Sequence, residues 1–359
     1  MQVPIVEGQR PASRMRVLVT GNHGFIGSVA APMLQEAGHD VTGLDTFFYE
    51  GCDLLDDAAH VPTLRTDIRD VTTDVLEGFD GIVHLAALSN DPLGELDEEL
   101  TREINLRGTL GLARKAKEAG VQRFVFASSC SMYGASGADD LVTEDAPLRP
   151  LTAYAESKVR AEEALSELAD GDFAPIYLRN ATAYGASPRV RLDVVLNNLA
   201  AWAFTTGKVM IMSDGTPWRP LVHVRDIASA AGAALTAPIA LVRNEAFNVG
   251  TNDENYRVRD LAEIVRDTFA GCEIEYAAGA GPDPRSYRVD FRKLAETLPE
   301  ARPTWTARDG ARELLDAFRS ARLTSAGFDR YTRLTRLKFL IAEGLLGDDL
   351  RRSYTHERT

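Results

Sequence analysis

Short apolar runs alternate with longer amphipathic ones from Met15 to Arg179. MRVLVT, HDVTGLD, GIVHLAA, RFVFASS and APIYLRN are rich in Val, Ile, Leu and Phe, the pattern of strands covered on both faces of a sheet. INLRGTLGLARKAKEAG and YAESKVRAEEALSELA instead repeat at helical spacing, the second with Glu mixed with Lys and Arg along an exposed face. Such alternation predicts an α/β fold, a parallel sheet wound on both sides. Past Arg179 the alternation weakens and Gly, Pro, Trp and Arg gain weight, as in YGASPRVRLDVVLNNLAAW and SDGTPWRPLVHVRD. A second, smaller α/β lobe is expected there, while VRDIASAAGAAL and EAFNVG supply a helix and strand that return to the first sheet. The expected division is a disordered leader at 1–13, a first domain at 14–180 rejoined by 224–250, a second at 181–223 and 251–320, and a helical extension at 321–359. The basic face of the tail YTRLTRLKFLIAEGLLGDDLRRS suits a packing or dimer helix better than one lying on a membrane.

Composition narrows the class. With 359 residues, 45% of them hydrophobic, the chain can bury more than one core. No stretch approaches the roughly 18–20 apolar residues of a membrane helix, and MQVPIVEGQRPASR holds no apolar run of signal-peptide length. A soluble, cytoplasmic protein is expected. Cys52, Cys130 and Cys272 are too few and too scattered for a disulfide frame or a zinc site, so free thiols and no metal are expected. A formal charge of −13 opposes general affinity for nucleic acid; arginines facing an anionic ligand must be local.

The stretch VLVTGNHGFIGS sets Gly21, Gly24 and Gly27 directly after the first strand and at a helix start. Glycines there allow a tight turn, close backbone approach to a pyrophosphate and close packing of helix on strand. His23, Phe25 and Ile26, between the glycines, are expected at the same ligand. The second strand ends in Asp45, placed to accept hydrogen bonds from a ribose 2′-hydroxyl. It would repel a 2′-phosphate, and LDTFFYEG holds no arginine; NAD is favoured over NADP. Asp67 and Ile68 follow the third strand as adenine neighbours, and Leu85, Ala86 and Ala87 end the fourth with small side chains a cofactor can lie against.

Tyr154 and Lys158, in YAESK, stand at i and i+4 and so share a helix face. Ser129, with Ser128 beside it, stands where a strand of the same sheet should end. A lysine ammonium and an oxidised nicotinamide together can bring a tyrosine of ordinary pKa about 10 into use as a base near neutral pH; Lys158 can also hold the nicotinamide ribose, and Ser128, Tyr154 and Lys158 are all expected to touch the cofactor. Ser129 would hold the same substrate hydroxyl and steer its proton to Tyr154.

Together, GNHGFIG, the acidic end of the second strand, HLAA, INLRGT, SSCSMYG, YAESK, LRNATAYG and SDGTPWRPLVHVRD resemble the extended short-chain dehydrogenase/reductase family. Its nucleotide-sugar epimerases and dehydratases are meant, of the UDP-galactose 4-epimerase-like kind. The resemblance runs from about Met15 to Phe318. It implies a Rossmann domain that binds NAD, a smaller domain that binds a nucleoside diphosphate sugar, and a homodimer. It makes Ser129, Tyr154 and Lys158 the catalytic triad and Asn105 a structural polar residue beside them. Arg219 and Arg285 become candidates for the diphosphate, and Asn197 or Asn198 for the nucleotide. Ser89, Ser131, Asn180 and Thr182 are further substrate candidates.

Related 4,6-dehydratases carry Asp and Glu between the residues matching Ser129 and Met132, and related decarboxylases keep a Glu; this chain has Cys130 and Ser131. In an extended segment alternation would turn Cys130 away and set Ser131 on the Ser129 side. A small buried thiol is expected at 130. The expected activity is an NAD-dependent epimerase, with C4 the favoured centre. The alternatives are a dehydratase or ketoreductase using Asp91, Tyr184 or Arg191, and a non-catalytic NAD-binding sensor or scaffold.

Overall fold

A computed structural model describes residues 14–55, 61–89, 97–135, 141–281 and 283–352. Asp91 and the leader 1–13 lie outside these residues.

The apolar runs and EAFNVG, with the largely exposed edge segment Thr63–Arg65, form seven strands: β1 (Arg16–Thr20), β2 (Asp40–Asp45), β3 (Thr63–Arg65), β4 (Gly81–His84), β5 (Arg123–Ser129), β6 (Ala174–Asn180) and β7 (Ala246–Val249). They pair in the order β7-β6-β5-β4-β1-β2-β3, every pairing parallel. This is a doubly wound Rossmann-type sheet. Its order reverses between β1 and β4, where Thr20 is in register with His84. Open α/β sheets bind ligands at the carboxyl ends of strands beside such a reversal.

EAFNVG supplies β7, which pairs with β6 from Ala246↔Tyr177 to Val249↔Asn180, and VRDIASAAGAAL forms the helix Val224–Thr236. One apolar core joins strand residues Val17, Val83 and Ile176 to this helix through Ile227, Ala230 and Ala231. A second core, on the other face, holds Leu18, Ile82, Phe124 and Phe126.

Between these crossings the chain builds small sheets. Thr182–Tyr184 and Asn255–Arg257 flank Trp218–His223, and Lys208–Ile211 pairs with Glu273–Tyr276. Their own core packs the helix Val195–Thr206 on the helix Ala307–Ser320 through residues such as Leu196, Leu199, Leu314 and Phe318. The tail helix Arg333–Ala342 buries Leu337 and Leu340 in the core of the main sheet. Among the described residues no helix is long and apolar enough to cross a membrane.

Candidate active site

The carboxyl ends of the central strands and the small sheets enclose a cleft of about 1080 Å³. A single-ligand pocket spans roughly 300–1000 Å³, so the cleft has room for two ligands. One half is made largely of backbone. Gly21, Gly24, Phe25, Ile26 and Gly27 line it. Gly21 has φ +73°, and a Cβ there would stand 2.8 Å from the Ala86 nitrogen; a Cβ on Gly27 would stand 2.1 Å from the Gly21 oxygen. Only glycine fits both positions, and the turn delivers the N-terminus of the helix Gly27–Glu36 to the cleft.

Asp45 is fixed by two backbone donors, His23 N–H to Oδ2 at 3.0 Å and Phe47 N–H to Oδ1 at 2.6 Å. Burial pushes its carboxyl pKa up against these donors and the nearby Arg189 charge. Its remaining lone pairs face the cleft, whose wall continues through Asp67, Ile68, Leu85, Ala86 and Ala87. Although LDTFFYEG holds no arginine, Arg65 reaches this loop from the end of β3. Its guanidinium lies 3.9 Å from the Phe47 ring centre and pairs with Glu50 at 2.7 Å. The glycine turn, the fixed carboxylate and the small alanines fit a dinucleotide.

Where β5 ends, the chain tightens into a 3-10 turn over Cys130–Tyr133, capped by Ser129, whose Oγ accepts from Ser131 N–H. Ser129 Oγ also donates to Ser131 Oγ at 2.9 Å, and both residues line the cleft, as does Ser128. Cys130 is turned into the core and donates to the Arg179 carbonyl at 3.0 Å; burial pushes its thiol pKa well up. Tyr154 and Lys158 enter from the helix Ala153–Ser166, whose Thr152 cap accepts from Ala155 N–H at 3.2 Å. The Lys158 ammonium donates to the Ala127 carbonyl at 2.7 Å and lies 5.8 Å from the Tyr154 ring centre. Burial pushes its pKa down to about 7.

The other half of the cleft is made of side chains. Ser89, Asn180, Thr182, Asn198, Arg219 and Arg285 all line it. Asn180 donates to the Ser128 carbonyl at 3.4 Å, while its buried Oδ1 has no hydrogen-bond partner. Arg219 and Arg285 converge on Asp283, at 2.6 and 2.8 Å. Burial works to raise the Asp283 pKa, but its bonds from Arg285 and the Arg219 charge outweigh it and hold the carboxyl below the usual range. Arg191 joins Asp193 at 2.9 Å to Ser89 Oγ at 3.0 Å.

Residues 17–250 match the model of the NAD dependent epimerase/dehydratase family. The chain belongs to that family. It is similar to the UDP-glucose 4-epimerase of Corynebacterium glutamicum, 33% identical over 302 residues that span 79% of this chain and 90% of the relative. The UDP-glucose 4-epimerase of Lactobacillus helveticus is 30% identical, over 79% of this chain and 91% of its own. Among solved structures, MoeE5 in complex with UDP-glucuronic acid and NAD superposes with a TM-score of 0.72 at 29% identity, covering 85% of this chain and 99% of its own.

In this epimerase/dehydratase three expected residues stand elsewhere than in the walls. The His23 ring stacks on Phe47 at a centroid distance of 4.1 Å, and its backbone N–H, bonded to Asp45, is what serves the site. Asn197 is fully buried, its amide spent on the backbone of Gly185 and Arg191. Tyr184 packs edge-on against His223, outside the cleft. Asn105 sits in a π-helical turn, Glu103–Gly108, and bonds both backbone groups of Leu88, fixing the wall after β4. Sequence reasoning missed Asp283, Asp193 and Arg333. GPDPRSYRVD contained the first beside Arg285, but nothing in it pointed to Arg219, 64 residues away.

Proposed function

We propose that this NAD-dependent enzyme inverts C4 of a uridine diphosphate hexose, with Ser129, Tyr154 and Lys158 as its catalytic residues. One observation carries the choice of an epimerase over the family's dehydratases. Among the described residues each carboxylate in the walls is already engaged: Asp45 by two N–H groups, Asp67 by Arg69, Asp193 by Arg191, and Asp283 by Arg219 and Arg285. With Cys130 buried, no side chain of the 3-10 turn supplies the acid and base that expel water. Epimerisation needs none, and the two 4-epimerase relatives favour the uridine nucleotide.

Bound NAD supplies a reversible hydride acceptor. The protein's part is proton handling and geometry. Ser129 Oγ orients the sugar hydroxyl, Tyr154 takes its proton and returns it, and the buried Lys158 favours the phenolate while its stem closes the wall. Arg219 and Arg285 face the diphosphate, Asn198 and Thr182 the nucleotide, and Ser89, Ser131 and Asn180 the sugar. On this reading 14–180 with 224–250 hold NAD, 181–223 with 251–320 hold the sugar nucleotide, and 321–359 form a helical extension. The active species is a homodimer in the cytoplasm, which sedimentation and fractionation test.

Incubation with uridine, thymidine, guanosine and cytidine diphosphate sugars, followed by mass and proton NMR, tests the reaction. An isomer of unchanged mass from a uridine diphosphate hexose is expected. A product lighter by one water would overturn epimerisation, and turnover of another base alone would overturn the uridine assignment.

A further inference from the structure

Arg333 opens the tail helix, far along the chain from every other wall of the cleft, yet it is among the most buried large side chains, 2% exposed. Nη2 donates to the Arg189 carbonyl at 2.7 Å, and the guanidinium lies 3.9 Å from the Tyr49 ring centre. Nη1 is buried without a hydrogen-bond partner. Arg191 has the Asp193 carboxylate and Arg189 lies against Asp53, although Arg189 Nε is likewise without a hydrogen-bond partner; Arg333 forms no ion pair among the described residues and feels Asp193 only as a nearby charge. Burial pushes its pKa down to about 10, which leaves it charged at neutral pH. A buried cation with an idle donor in a cavity wall calls for an anionic ligand.

Its neighbours say which part of the cleft it serves. Arg189 N–H bonds Ser187 Oγ at 3.2 Å, and Ser187 Oγ donates to the Phe25 carbonyl of the glycine turn at 2.8 Å. Ser28, in the first turn of the following helix, bonds the same Ser187 Oγ at 2.9 Å. Tyr49, under the guanidinium, belongs to the loop that follows Asp45. Arg333 therefore stands between the helix N-terminus that the glycines open and the loop carrying the ribose carboxylate. Arg219 and Arg285, the diphosphate candidates of the sugar half, are tied to Asp283 instead.

The same tail segment holds that loop down. Arg336 donates to the Glu50 carbonyl at 3.1 Å, Arg352 to the Thr46 and Phe47 carbonyls at 3.1 and 3.0 Å, and Arg330 to Gly51 at 2.7 Å. MoeE5 is matched over 99% of its length by 85% of this chain, so this chain carries segments that MoeE5 lacks.

We propose that Arg333 is a cofactor-binding residue whose idle Nη1 hydrogen-bonds the diphosphate of NAD, while the tail around it straps the 46–51 loop over the dinucleotide. The proposal rests on the NAD reading of the cleft. Tight retention suits a reaction that returns to the sugar the hydride it removed.

Calorimetric titration of cofactor-stripped protein with NAD, ADP-ribose and UDP tests it. Arg333→Met, which keeps an unbranched stem over Tyr49, is expected to weaken NAD and ADP-ribose by roughly 10- to 100-fold, the range for a charge-assisted hydrogen bond, and to leave UDP within twofold. Arg333→Lys keeps the charge and is expected to lose about threefold to tenfold. NAD affinity within twofold of the unmodified protein in Arg333→Met would overturn the proposal. So would an equal loss for UDP, which would place the guanidinium on the substrate's diphosphate. Equal losses in the two variants, with unchanged circular dichroism, would mean that packing rather than charge is sensed, and would overturn it too. An unmodified protein that binds UDP but neither NAD nor ADP-ribose would overturn the cofactor reading together with the proposal.

Discussion

The two halves of the cleft are built on opposite plans. The dinucleotide half is backbone: strand ends, a glycine turn and a helix N-terminus, with Asp45 fixed by main-chain N–H groups. The half we assign to the sugar nucleotide is side chains drawn from several segments and held by one another's charges, as Arg219 and Arg285 are by Asp283. A backbone site is rigid and tolerates no added atom, whereas a charge-paired site can be retuned residue by residue because a ligand competes with partners already present. One ligand site is fixed and the other open to change, which fits a family whose members share a cofactor and differ in substrate.

Four measurements can break or sharpen this contrast. Tyr154 stands at the seam, and Tyr154→Phe is expected to lower kcat by roughly 10²- to 10⁴-fold while leaving the affinities for NAD and UDP unchanged; retained turnover would remove it as the base. Next in size, Gly27→Ala forces a Cβ toward a carbonyl oxygen 2.1 Å away. Overpacking of this kind costs roughly 1–3 kcal/mol, and the purified variant is expected to have lost its NAD while still binding UDP in titration. If NAD content is unaltered, the backbone half is softer than described. Arg219→Ala is expected to raise KM for the sugar nucleotide about 10-fold or more, from one lost charged contact, with NAD affinity unaltered. A parallel fall in NAD affinity would show that the halves are coupled.

The smallest effect concerns stability. His84 is buried between Thr20 and Thr109, at 2.7 and 2.9 Å, and burial, aided by the Lys158 charge, pushes its pKa down to about 3. An unfolded histidine titrates near 6.5, so the unfolded chain takes the extra proton first as pH falls, and stability is lost from about pH 6.5 toward pH 3. At pH 5 this group's share is about 2 kcal/mol. Urea unfolding at pH 5 and pH 7 should give a smaller difference in His84→Gln than in the unmodified protein, and an equal difference would refute the assignment.

The same contrast explains what was legible in the sequence. Strand ends and the glycine turn follow from local pattern, and Tyr154 with Lys158 from helical spacing, because each is set within a few residues. Asp283 acquires its meaning only by meeting Arg219, and Arg333 only by meeting Arg189 and Tyr49, pairings made by tertiary packing across long stretches of chain. Ser131 reaches the cleft for a different reason from the one expected. Strand alternation ends at Ser129, and it is the 3-10 turn that brings Ser131 beside it and turns Cys130 inward. His23 misleads for a similar reason, since its side chain and its N–H serve different neighbours.

The interleaved chain path bears on synthesis at the ribosome. β6 is complete at Asn180, but its outer partner β7 begins only at Ala246, after the strand Trp218–His223 and the helix Val224–Thr236. Until Val249 has emerged, β6 is an unpaired sheet edge, the kind of surface that invites pairing with another chain. The main sheet thus cannot close before the strand Trp218–His223 of the small sheets has been made, and a nascent chain halted before β7 would carry an aggregation-prone edge that the finished protein hides.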